Sequence, residues 1–153
     1  MAAYEIVPAQ EEHLLALAGT MSPDDAAECW ALCHWSPEEA LRRSVEGSRN
    51  PKAGLADGEV IAMFGVAQPT LVNSLGMPWL LGSPAISQHW VRFARESRDF
   101  VNHEKAGYQM LLNYVDARHT RAVRWVRWLG FTLSLVERFG PDNLPFWRAE
   151  LRS

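Results

Sequence analysis

The sequence predicts a single α/β (α+β) domain over residues 1–153, built on one mixed sheet of six to seven strands flanked by helices. Three observations carry this. The chain has 153 residues, 48% of them apolar and 22% charged, which is the size and composition of one globular unit able to bury a core without a metal or disulfide. The apolar spacing switches repeatedly between helical and strand periods. An Asp57-Gly58 pair stands between two strand-like runs, a strong hairpin signal.

Tyr4 to Pro8 alternates and reads as a strand, with Pro8 placing it at an edge or a strand end. Glu11 to Ala18 carries Leu14, Leu15, Leu17 and Ala18 on one side and reads as a helix. Ser22-Pro23-Asp24-Asp25 and Ser36-Pro37-Glu38-Glu39 each supply an N-cap, a proline at the first helical position and two acids in the first turn. Residues 1–47 therefore read as a strand and three short helices.

The period then changes. Residues 53–56 and Glu59 to Val66 flank the Asp57-Gly58 turn as two strands, and Gly76 to Gly82 is a further short apolar strand. A long helix is expected directly after Ser83-Pro84, with Ile86, Trp90, Phe93, Ser97 and Val101 recurring on one side. Met110 to Asp116 suits a buried strand. Thr120 to Leu129 is helical, with Ala122, Trp125, Val126 and Leu129 inward and Gly130 as the residue that ends it. Phe131 to Phe139 alternates apolar and polar residues, Gly140 to Asn143 is a turn, and Phe146 to Leu151 is the last strand.

Composition excludes several classes. No apolar run approaches the ~18 residues of a membrane span, and the first residues lack the basic and apolar regions of a signal peptide, so a cytoplasmic location is expected. Two cysteines, Cys29 and Cys33, do not make a disulfide scaffold and suit a reducing compartment. They lie one helical turn apart but lack the further ligands of a metal centre, so no metal is expected. Charge is uneven: residues 1–60 hold eleven acids and four bases, net −7, and residues 61–153 hold seven acids and eleven bases, net +4. Thirteen of the fifteen bases are arginine, whose planar fork suits phosphate. Arg118, Arg121, Arg124 and Arg127 recur every three residues and so rotate around their helix. Nucleic-acid binding is therefore not expected. No P-loop, Rossmann glycine pattern or nucleophile elbow is visible. Seven tryptophans and an exposed C-terminal strand leave a homodimer open.

The segment from Val115-Asp116 through Ala122 to Gly130-Phe131, set in a strand–helix–strand–helix–Gly-Phe–strand order, resembles the GCN5-related N-acetyltransferase (GNAT) superfamily over residues 77–139. Trp79-Leu80-Leu81-Gly82-Ser83-Pro84, residues 112–117 and residues 124–131 also resemble acetyltransferase-like proteins of tailed phages, including their internal virion proteins. The resemblance implies an acyl-CoA-dependent N-acyltransferase using acetyl-CoA. The alternative is a non-catalytic phage internal virion or assembly protein on the same scaffold; a phage-encoded chain would be located in the host cytoplasm or the virion. The partner is accordingly a small-molecule acyl-CoA or a phage or host protein.

The resemblance also implies two parallel strands, near 77–82 and 110–116, that splay where the cofactor enters. Leu81, Gly82 and Ser83 would then line the cofactor site, with a backbone N–H near Leu81 stabilising the oxyanion. Asn113 would lie mid-strand in the cleft, His119 would stand where the family has Asn, and Arg121 and Arg124 would reach phosphates. Asp116 is read either as a substrate contact or as the ion-pair partner of Arg118 or Arg121. Two departures leave turnover open. The family's glycine-rich pyrophosphate loop is replaced by Gly82-Ser83-Pro84-Ala85-Ile86-Ser87, with one glycine and a proline that lacks a donor. Val126 stands where many members carry the tyrosine acid, so the catalytic residues stay unassigned.

Overall fold

A computed structural model describes residues 3–69 and 74–152; residues 1, 2, 70–73 and 153 lie outside the described residues. The elements are β1 (Tyr4–Pro8), α1 (Glu11–Ala18), α2 (Pro23–Cys33), α3 (Pro37–Glu46), β2 (Lys52–Ala56), β3 (Glu59–Ala67), β4 (Leu75–Gly82), α4 (Trp90–Glu104), β5 (Met110–Asp116), α5 (Thr120–Trp128), β6 (Thr132–Phe139) and β7 (Leu144–Arg152). They form one seven-stranded sheet in the order β1-β2-β3-β4-β5-β7-β6. Every neighbouring pair is antiparallel except β4 and β5, which run parallel.

Strand alternation sends side chains to two helical layers. Met63 and Leu81 pack with Leu14, Leu17 and Leu41 of α1 and α3. Phe64 packs with Ile86 and Phe93 on the other face, and Leu111 and Val115 pack there with Val101, Trp125 and Val126 of α4 and α5. Ser22 and Ser36 cap α2 and α3 by accepting from the Asp25 and Glu39 amides. The β2–β3 turn places Asp57 and Gly58 at φ 51° and 83°, the positive pair that a tight hairpin needs. Gly130 closes α5 at φ 97°.

Three expectations are corrected. The helix expected directly after Pro84 begins at Trp90, because Pro84–His89 forms a 3-10 segment. Ser83 caps it through Oγ to the Ala85 amide and through its carbonyl to the Ile86 amide. This tighter winding drops Ile86 into the core, where it is 2% exposed. The final strand is not the exposed one: β7 lies between β5 and β6, and β6 forms the edge. Alternation in β6 also breaks: Ser134 and Leu135 are both exposed, and beyond them the register with β7 shifts between Val136 and Phe139. Among the described residues, no helix is long and apolar enough to cross a membrane.

Candidate functional site

The parallel seam between β4 and β5 holds for two residue pairs, Leu75 with Met110 and Gly76 with Leu111, and then ends. Gly76 makes the closed end. A Cβ there would meet Leu111 Cδ2 and Val66 Cγ1 at 2.8 Å each, so the approach is open only to glycine. Beyond it the strands diverge towards Gly82 on one lip and Asp116 on the other. Asn113 braces the opening: its Nδ2 donates to the Pro78 carbonyl at 2.7 Å, and its Oδ1 accepts from the Tyr114 amide at 2.8 Å. A cavity of about 100 Å³ lies in the wedge, lined by Glu28, Trp79, Leu81, Asn113, Tyr114 and Trp125 among others.

At the mouth, the two lips are joined by a side chain from a third element. Asp25 of α2 is 1% exposed. Its Oδ2 accepts from the Gly82 amide at 2.8 Å, and its Oδ1 accepts from His119 Nε2 at 2.6 Å and from Arg121 Nη2. The Gly82 carbonyl accepts from the Ser22 amide at 2.8 Å, so both backbone groups of Gly82 face the start of α2. Burial works against a charge on Asp25, yet His119 and Arg121 outweigh it and hold the carboxyl below its ordinary value. Burial likewise opposes a charge on His119, but its hydrogen bond to Asp25 and the nearby Glu28 raise its pKa. The Ala122 amide donates to His119 Nδ1 at 3.5 Å, which leaves Nε2 as the nitrogen that donates to Asp25.

One turn further along α2, Glu28 Oε2 accepts from the Asp116 amide at 2.9 Å. Its carboxyl is enclosed, and burial pushes its pKa up to about 7. Ligand-type atoms of Asp25, Glu28 and His119 lie within 4.8 Å of one another, but Arg121 already supplies the positive charge that a cation would bring. Asp116 is held by Arg118 through Nη2 at 2.7 Å, Nε at 3.0 Å and the backbone N–H at 2.9 Å. Burial opposes its charge, and these bonds lower its pKa overall.

Of the residues put forward from the sequence, Gly82, His119 and Arg121 are brought together, around Asp25. Asn113 stands inside the wedge. Leu81 joins the core beneath α1 and α3. Ser83 is committed to its own turn, and its amide donates to the Ile61 carbonyl at 2.9 Å. With the Ala85 and Ile86 amides also bonded, the loop presents no cluster of free donors there. Arg124 lies outside the wedge, exposed and without an ion-pair partner among the described residues. It lines a surface groove of about 300 Å³ between α4 and α5 with Trp90, Ala94, Arg95 and Trp128.

Asp25 and Glu28 escaped the sequence reading. Asp25 looked like an ordinary first-turn acid of α2. The one available signal is their spacing of three, which puts both on one helical face; nothing local says that this face crosses the wedge.

No family model matches the sequence, and no curated protein does. Solved structures do match. RimL, a ribosomal L7/L12 alpha-N-protein acetyltransferase in complex with coenzyme A, superposes with a TM-score of 0.72 at 12% identity, covering 97% of this chain and 93% of that one. The putative acetyltransferase yncA from Salmonella typhimurium, with acetyl-CoA, gives 0.72 at 14% identity, covering 98% and 94%. The chain has the GNAT fold. A third GNAT-fold structure, spermidine N-acetyltransferase from Vibrio cholerae with CoA and spermine, gives 0.62 at 12% identity over 97% and 95%. At these identities the likeness speaks for the fold.

Proposed function

We propose that the chain is an acyl-CoA-dependent N-acyltransferase whose reacting centre is the wedge between β4 and β5. The observation that carries this is the end of strand pairing after Gly76 and Leu111. A parallel seam that stops mid-strand leaves backbone donors and acceptors needing partners, and the amide-bearing arm of an acyl-CoA can supply them. Bound there, the cofactor would provide an acyl group activated as a thioester.

The chain's own residues would do the rest. Trp79, Leu81 and Trp125 would exclude water from the wedge, and the Leu81 segment would offer a backbone N–H to the developing oxyanion. Glu28, in the cavity wall with a pKa of about 7, is the group placed to take the proton that the attacking amine must lose. Arg95 and Arg124, beside Trp90 and Trp128 and without an ion-pair partner among the described residues, would suit the phosphorylated nucleotide end. The loop after β4 fits less well, because its amides are bonded internally. Isothermal titration with acetyl-CoA tests the reading, with micromolar to submillimolar binding expected; no binding at millimolar ligand would remove it. Thiol release in the presence of primary amines tests turnover.

The second reading is a non-catalytic relative, encoded by a phage and working in assembly, in the host cytoplasm or the virion. The carboxylate of Asp25 on the Gly82 amide favours it. It predicts co-sedimentation with virion or host proteins, and no thiol release with any amine.

A further inference from the structure

Asp25 is not needed by its own helix. The first turn of α2 is capped by Ser22, whose Oγ accepts from the Asp25 amide at 3.3 Å, so the Asp25 carboxylate is free to serve elsewhere. It goes to three donors on two other elements: the Gly82 amide at the end of β4, and His119 and Arg121 where β5 passes into α5. A backbone amide, an imidazole and a guanidinium converging on one pair of oxygens is the donor set of an oxyanion site. Gly82 ends β4, His119 caps α5 and Arg121 lies in its first turn, so all three donors belong to elements other than α2. Arg121 keeps 22% of its side chain exposed, and its guanidinium lies 5.8 Å over the Trp90 ring. Trp90 in turn lines the groove that holds Arg95 and Arg124. The cradle is thus continuous, through Arg121 and Trp90, with an open surface carrying two cations that have no ion-pair partner among the described residues.

We propose that Asp25 is the internal occupant of an anion cradle formed by Gly82, His119 and Arg121, and that a phosphate or pyrophosphate group competes with it for those donors. The first turn of α2 then acts as an autoinhibitory contact: it leaves when the anion enters and returns when the anion goes. Assigning that anion to the pyrophosphate of an acyl-CoA rests on the function proposed above; the competition itself does not.

The test is titration of wild type, Asp25→Ala and Asp25→Ala/Arg121→Gln with inorganic pyrophosphate, with folding checked by circular dichroism. Binding at least tenfold tighter in D25A than in wild type, and lost again in the double variant, is expected. A folded D25A that binds no better than wild type overturns the proposal, as does a gain that survives loss of Arg121. If D25A folds only when pyrophosphate is present, that dependence supports the cradle directly. If it does not fold at all, Asp25→Asn keeps the shape and removes the charge; a threefold or greater gain is expected and no gain overturns the proposal. Acetyl-CoA is titrated alongside. A gain for pyrophosphate without a gain for acetyl-CoA leaves the cradle standing and counts against the acyl-CoA reading.

Discussion

Glu28 keeps a proton that an exposed glutamate would lose. Its ordinary value is 4.5, and burial raises it to about 7 in the folded chain. Between those values the folded state holds a proton that the unfolded state has released. The group's contribution to stability is therefore full below about pH 4.5 and is lost as the pH rises through 7. The raised pKa corresponds to a few kcal/mol at most, since each unit is worth about 1.4 kcal/mol. Glu28→Gln keeps an oxygen for the Asp116 amide and cannot titrate. Urea unfolding at pH 5 and pH 8 should show E28Q gaining on wild type by roughly 1–3 kcal/mol over that interval; a constant difference would refute it. Gly76 sets a second expectation at this scale. A methyl group there collides with Leu111 and Val66, so Gly76→Ala should cost about 1–3 kcal/mol by overpacking, read as a lowered thermal midpoint.

Among the elements, the seam between β4 and β5 has two paired positions and, beyond them, the Asn113 side chain. Its bond to the Pro78 carbonyl ties the lips where the ladder has stopped. Asn113→Ala would leave that carbonyl to water or unpaired, at a cost of about 1–3 kcal/mol. Hydrogen exchange should quicken in β4 and β5 while the β2–β3 hairpin keeps its protection; uniform exchange across the sheet would argue against a bracing role. The same elements show what a sequence can carry. The two Ser-Pro-acid signals, the Asp57-Gly58 turn and the inward stripe of α5 were legible because each is written in adjacent residues. The delayed start of α4 was not. Ser83-Pro84 reads as a helix cap in either case, and only the burial of Ile86 against Phe64 and Phe93 selects the tighter turn.

Across the whole molecule, the acid-rich first sixty residues supply the layer of α1, α2 and α3, and α4 and α5 carry six of the thirteen arginines. The groups proposed to meet an anion were legible from the sequence as residue types: Gly82, His119, Arg121 and Arg124 were all put forward. Their state was not legible, because the carboxylate that joins three of them arrives from 57 positions upstream of Gly82. Sequence proximity carries no trace of such a contact. Arg124 stands apart from that cluster, and its charge has no ion-pair partner among the described residues. Arg124→Glu should weaken acetyl-CoA binding by about tenfold, a single charge-assisted contact's worth, with the loss shrinking as salt rises. Unchanged affinity at low salt would take the α4–α5 groove out of the binding path.

The other end of α2 bears on how its first turn can leave. His34 follows the helix at φ 55°, and its Nε2 meets Asp142 Oδ1 at 2.9 Å. Gly140, at φ 75°, lies against the Ala31 carbonyl too closely for any side chain. The hairpin between β6 and β7 thus grips the helix from behind. With that grip intact, an eleven-residue rod some 16 Å long has a fulcrum at its rear. Asp25 lies about 12 Å ahead of that point, so a tilt of about 5–10° would move it by roughly 1–2 Å, enough to break its hydrogen bonds to Gly82 and His119.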